Sequence, residues 1–276
     1  MILRFLKIGM VLAALIYLGL AGVIYARQRD LLFRPDPTRV NPSSLGLDRV
    51  KEVLLNPPDK PNLIGWFTPA TDETKPVFLY LHGNAGNLAR RADRFGFLTE
   101  TGAGLLAVSW RGFGGSEGAP SEAGFHADVS QALTFLNAQN IGPERIVLFG
   151  ESLGSGIAVM TAAQTRFKAL ILDSPYDSIQ SIAAQRYGWL PVRWMMRDPF
   201  RADLAAHQVT LPALVLQCRD DWLTPYENGR RLVDLLGGAK RSVVFERTCH
   251  APPFGMGSGA AIRQFMTDIE AGKPIN

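Results

Sequence analysis

Residues Val147–Val159 read VLFGESLGSGIAV. An apolar run stops at Phe149, glycines flank a serine as Gly150-x-Ser152-x-Gly154, and a run of small residues follows. The pattern predicts a strand that turns sharply into a helix with Ser152 at the corner. Such a corner is either an ordinary tight turn or a chain bent to push one hydroxyl into a reaction site. The glycines let strand and helix approach closely, and the helix N-terminus behind Ser152 offers N–H groups to an anion. Ser152 is therefore the candidate nucleophile.

Outward from this corner, apolar segments alternate with helix-like ones. VFLYLH (Val77–His82), LLAVSW, RIVLFG, ALILD, ALVLQ and SVVFE read as strands. Between them, NLARRADRFGFLTE, EAGFHADVSQALTFLNAQ, LGSGIAVMTAAQT and YENGRRLVDLL read as helices, with GAAIRQFMTDIEA last. KEVLL and LIGWF come first, as two strands joined by a proline-containing turn. The order predicts an α/β fold with a mostly parallel central sheet covered by helices on both faces. The site of such a sheet lies beyond the carboxyl ends of its strands. The 276 residues suffice for one large domain and show no internal repeat.

The net charge of +4 is not spread evenly. Residues 1–40 hold six of the 29 basic and two of the 25 acidic residues, which leaves 23 of each in the remainder. No basic stripe with interleaved aromatics exists, so a nucleic-acid partner is not expected. The excess belongs to MILRFLKIGMVLAALIYLGLAGVIYARQRDLLFRP, in which no charge occurs from Ile8 to Ala26. A helix over that stretch is about 28 Å long, close to the thickness of a bilayer's hydrocarbon. Residues 1–27 are expected to form a single-pass membrane anchor, 28–45 a proline-containing linker, and 46–276 a catalytic domain. The alternatives are a cleaved signal peptide, with GLA (Gly19–Ala21) as its processing site, and a buried core helix. Orientation signals conflict. Four basic residues follow the span, which favours a cytoplasmic domain, whereas the short basic N-terminus favours the opposite side.

A serine hydroxyl needs a base, and the base an orienting acid. In this topology the acid and then the histidine follow the serine along the chain. Only His207 and His250 do so. His207 lies before the ALVLQ strand and reads as a solvated or capping residue. His250 directly follows the last strand and is the expected base. Asp220 and Asp221, after ALVLQ, both qualify as the acid, and Asp173, after ALILD, is a third choice. The backbone N–H of Leu153 and one from HGNAGN (His82–Asn87) are expected to hold an oxyanion, with Asn84 as the second donor and Ala85 next. His82 reads as a brace for that loop. WRGFGGSEG (Trp110–Gly118) lacks phosphate-loop spacing. WLPVRWMMRDPF (Trp189–Phe200) reads equally as part of a small lid over about residues 176–208 or as aromatics packed on the core under a long loop.

Taken together, LHGNAGN, WRGFGGSEG, FGESLGSG and LDSPYDSI resemble a membrane-anchored group of α/β-hydrolases related to serine-peptidase-like hydrolases. The resemblance spans about residues 45–272 and implies the α/β-hydrolase fold. The family's acid loop, aligned on Pro225, places the acid on Asp221. Gln217 and Cys218 depart from the histidine and glycine usual there, and RTCH departs from the usual glycine turn before the histidine. The resemblance implies a serine hydrolase with no metal or organic cofactor, and an apolar lid beside a membrane anchor favours an ester or thioester of a small-molecule or lipid-like acyl substrate over an amide. A peptidase, with Glu151 or Glu117 holding an N-terminal amine, and a non-catalytic tethered binding protein are the alternatives. Cys218 and Cys249 are expected to be unbridged buried thiols. A bridge between adjacent strand ends is the alternative and needs an oxidising compartment.

Overall fold

The computed structural model describes residues 1–56 and 59–275. Its central sheet has eight strands: β1 (Lys51–Leu55), β2 (Leu63–Thr68), β3 (Val77–Leu81), β4 (Gly104–Val108), β5 (Ile146–Glu151), β6 (Ala169–Asp173), β7 (Ala213–Cys218) and β8 (Lys240–Phe245). Their spatial order is β8-β7-β6-β5-β3-β4-β2-β1. The pairs from β4 to β8 are parallel, and β2 runs antiparallel to both β1 and β4. The turn expected between β1 and β2 includes Pro57 and Pro58, which lie outside the described residues.

The central strands read as unbroken apolar runs because both sheet faces are covered. Alternation sorts their side chains. Leu79, Leu81, Leu148 and Leu172 join Phe125 and Ile157 on one face, while Phe78, Tyr80, Phe149 and Ile171 join Phe95 and Phe265 on the other. The helices supplying these partners are α2 (Ala92–Thr99), α3 (Glu122–Ala138), α4 (Leu153–Ala162) and α8 (Ser258–Glu270). NLARRADRFGFLTE does not form one helix. A 3-10 turn over Leu88–Arg91 precedes α2.

The N-terminal helix α1 runs from Ile2 to Leu32, past the expected end of the anchor at residue 27. It is long and apolar enough to cross a membrane. Its C-terminal half docks on the segment between β6 and β7, which carries α5 (Ile179–Arg186), α6 (Val192–Met195) and α7 (Ala202–Ala205). Ala21 packs with Leu190 and Val192, and Arg29 pairs with Asp198 at 2.7 Å. The Tyr17 hydroxyl donates to the Trp189 carbonyl at 3.1 Å. Of this segment's aromatics, Phe200 packs in the core, but Trp189 and Trp194 do not. Trp194 is 88% and Trp189 49% exposed. After α1, Arg34–Pro35 pairs in parallel with Ala85–Gly86, which ties the chain leaving the helix to the loop after β3.

Candidate active site

Six parallel strands end on one edge, and residues that follow five of them converge there. Ser152 leaves β5 with φ 51° and ψ −119°, a backbone region costly for a residue with a side chain. Its N–H donates to the Asp173 carbonyl at 2.8 Å, which fixes the corner to the end of β6. Two glycines make the corner possible. A Cβ on Gly154 would sit 2.0 Å from the Leu81 carbonyl oxygen, and one on Gly150 2.5 Å from the Ser155 Cα.

His250 and Asp221 meet Ser152. The Ser152 hydroxyl lies 2.8 Å from His250 Nε2, and His250 Nδ1 lies 2.8 and 3.0 Å from the two Asp221 carboxylate oxygens. Asp221 also accepts from the Leu223 and Thr224 N–H groups at 2.8 and 2.9 Å and from the Thr224 hydroxyl at 2.9 Å. Burial alone would push its carboxyl up. The hydrogen bonds from His250, Thr224 and Leu223 outweigh that and hold it below the usual carboxylate range.

The other candidates lie elsewhere. His207 is exposed on a 3-10 turn, and Asp220 is exposed one residue from the site, its neighbour Arg219 pairing with Glu246. Asp173 is buried and paired with Arg94, and burial pushes its carboxyl up to about 6 against the opposing pull of that guanidinium. Glu151 is buried between Arg91 and the Tyr80 hydroxyl, and Glu117 bonds Asn62 at the surface. His82 is fully buried. Nδ1 donates to the Gly83 carbonyl at 2.8 Å, and Nε2 accepts the Trp110 N–H at 3.3 Å. Burial and the nearby Arg91 charge lower it to about 3, so the ring is neutral.

Leu153 and Asn84 line the cavity that opens at Ser152. The Leu153 N–H is the first of α4 and has no intrahelical acceptor. The Asn84 side-chain amide donates to the Leu32 carbonyl at 2.7 Å, so the loop is held by the end of α1. The cavity measures about 230 Å³ and is lined mainly by apolar side chains of α1 and of the segment between β6 and β7. No carboxylate lines it among the described residues.

One expectation is overturned. Cys218 and Cys249 form a disulfide, with Cα atoms 5.6 Å apart. Cys218 ends β7 opposite Phe245 of β8. The chain then turns back, the Arg247 N–H donating to the Phe245 carbonyl and the Asp220 N–H to the Arg247 carbonyl. That turn lays Cys249 over Cys218 and joins the loops of Asp221 and His250. Sequence reasoning also missed Thr224, Ser174 and two buried arginines. The Ser174 hydroxyl accepts the Ala251 N–H at 2.9 Å. Arg94 donates to the Ala251 and Pro252 carbonyls at 2.8 and 3.2 Å. Arg91 joins Glu151 to the Ala85 and Asn87 carbonyls. Thr224 lies three residues after Asp221, a spacing at which an aspartate side chain commonly bonds its own loop.

A family model described as the alpha/beta hydrolase fold matches residues 76–210. Uncharacterized protein Rv2307c of Mycobacterium tuberculosis is 34% identical over 262 residues, 93% of each chain. Lysophosphatidylserine lipase ABHD12 of Danio rerio is 32% identical over 195 residues, which cover 63% of this chain and 51% of that protein. The esterase Pf2001 of Pyrococcus furiosus superposes with a TM-score of 0.67 at 17% identity, over 85% of this chain and 98% of that one. The chain belongs to the alpha/beta hydrolase fold family.

Proposed function

We propose that the protein is a serine hydrolase that cleaves an ester or thioester through Ser152, His250 and Asp221. The observation that carries this reading is the unbroken relay from Ser152 Oγ through both His250 nitrogens to the Asp221 carboxylate, each step 2.8 Å. His250 Nε2 takes the hydroxyl proton as Ser152 Oγ bonds the acyl carbon. Asp221 holds the ring in the tautomer that leaves Nε2 free and stabilises the imidazolium. The Leu153 and Asn84 N–H groups receive the oxyanion. As the acyl–oxygen or acyl–sulfur bond breaks, His250 returns the proton to the leaving alcohol or thiol. Water, activated by the same nitrogen, then releases the acid.

The apolar cavity beside Ser152 favours an acyl chain over a peptide. Neither Glu151 nor Glu117 lines it, which removes the two groups considered for holding an N-terminal amine. The relatives whose names specify a lipase or an esterase point the same way. The disulfide belongs to an oxidising compartment, so the catalytic domain faces away from the cytoplasm with α1 as its single-pass anchor.

The test is labelling of the purified protein with a fluorophosphonate beside Ser152→Ala, followed by p-nitrophenyl esters from acetate to palmitate. Labelling lost only in the variant is expected, with turnover down by about 10³-fold or more. Folded wild type that neither labels nor turns over would overturn the reading.

A further inference from the structure

The anchor helix is built into the cavity that reaches Ser152. Ile24 and Leu31 of α1 form one side, Leu190 and Met195 of the facing segment form the other, and Ser152 and Asn84 close the inner end. Helix and segment touch well below the cavity, where the Tyr17 and Trp189 rings meet edge to face at 6.1 Å.

The axial spacing of these contacts sets their depth. The uncharged part of α1 ends at Ala26. Tyr17 lies nine residues earlier, or about 14 Å along the helix. That is nearly the ~15 Å of hydrocarbon in one leaflet. Directly above Ala26 the chemistry changes: Arg27 pairs with Asp30, and Arg29 with Asp198 of the facing segment. A helix that spans with its uncharged stretch in hydrocarbon therefore carries the Trp189–Trp194 stretch down with it, while Met195, whose carbonyl accepts from Gln28, stays at the boundary. That stretch suits the location. Trp189 and Trp194 are exposed rather than packed in the core, and Leu190, Val192 and Met195 turn toward α1 and the cavity. Arg193, its one charge, has a stem long enough to reach the headgroups.

We propose that α1 is a wall of the acyl site as well as a tether. The Trp189–Trp194 stretch facing it lies within one leaflet, and the acyl chain of a bilayer-resident ester enters sideways between the two to bring its carbonyl to Ser152. This rests on the serine-hydrolase reading for its chemistry, but the immersion of the segment stands apart from turnover. Ile24 and Leu31 are then specificity-determining residues contributed by the membrane helix.

Two measurements on the full chain in phosphatidylcholine vesicles test this. In the first, Ile24→Trp and Leu31→Trp narrow the cavity, with Val11→Trp on the free part of the helix as control. The ratio of kcat/KM for p-nitrophenyl palmitate to that for acetate is expected to fall about tenfold or more in the cavity variants and to hold in the control. An unchanged ratio in both cavity variants, with acetate still hydrolysed, overturns the wall and leaves the hydrolase reading intact. In the second, tryptophan emission is quenched by phosphatidylcholine brominated along its acyl chains. Quenching is expected in wild type and lost in the Trp189→Phe, Trp194→Phe double variant. Unquenched wild type overturns the immersion whatever the enzyme hydrolyses. Absence of all turnover and labelling with quenching intact removes the hydrolase reading and keeps the segment in the leaflet.

Discussion

The Leu32 carbonyl oxygen, on the last residue of α1, accepts a 2.7 Å hydrogen bond from the side-chain amide of Asn84. The final carbonyls of a helix lack intrahelical donors, so this bond caps the helix. The Arg34 N–H returns the connection, donating to the Asn84 carbonyl at 2.8 Å. The residue proposed to offer an N–H to the oxyanion is thus held on both sides by the chain leaving α1. Asn84→Ala keeps that N–H but frees the loop. Loss of one such bond costs about 1 kcal/mol, so kcat for p-nitrophenyl acetate should fall about fivefold with KM little changed. An unaltered kcat would show that the tether does not position the donor.

The corner at Ser152 depends on absent side chains. A Cβ at Gly154 would meet backbone oxygens of both Leu81 and His82, at 2.0 and 2.8 Å, and backbone in a central strand has little room to retreat. Gly154→Ala should cost about 3 kcal/mol and displace Ser152. Gly9→Ala, where nothing lies within 4 Å, should do neither. Thermal midpoints of the two variants and their rates of fluorophosphonate labelling check this. Equal midpoints would contradict the clash.

The disulfide joins two loops that carry the proposed acid and base. Cys218 precedes Asp221 by three residues and Cys249 immediately precedes His250. The bridge closes a loop of 31 residues, worth about 3.7 kcal/mol in chain entropy. Cys218→Ser with Cys249→Ser should lower stability by about that amount and slow labelling of Ser152. Dithiothreitol should reproduce both effects in wild type and neither in the double variant. A double variant matching wild type in unfolding midpoint and labelling rate would show that the loops are held without the bridge.

The strands and the serine corner were legible because each rests on local pattern. An unbroken apolar run needs two covered faces, and Gly150-x-Ser152-x-Gly154 needs a close crossing. The choice among Asp173, Asp220 and Asp221 was not local. It depends on which carboxylate the turn after β7 aims at His250, and family resemblance supplied that choice. RRADR reads as the wet face of a helix, yet Arg91 and Arg94 turn inward to Glu151 and Asp173. Nothing in residues 88–100 signals partners more than 50 residues away. The disulfide was misjudged for the same reason, since a backward turn at Glu246–Thr248 decides whether the sulfurs meet. The docking of α1 on a segment about 170 residues later also has no local signature.

His82 and Asp173 give stability opposite pH dependences. His82 is lowered to about 3 from an ordinary 6.5. The unfolded chain therefore binds a proton below pH 6.5 that the folded one refuses, and this contribution is lost as pH falls from about 6.5 to 3. Asp173 is raised to about 6 from 3.8, so the folded chain holds its proton longer and gains stability as pH falls through about 6 to 4. The two slopes overlap, and wild type alone will show a shallow profile there. His82→Gln separates them. Its amide oxygen can still accept the Trp110 N–H, so the variant should fold, less stable than wild type at pH 7.5. On acidification the His82 penalty is absent, and the gap to wild type should close by up to about 1.4 kcal/mol per pH unit below 6.5. Unfolding of both proteins at pH 7.5, 6 and 5 measures it. A gap that stays constant across the three would mean that His82 already charges in the folded state, and that its ring does not hold the Trp110 loop as a neutral acceptor.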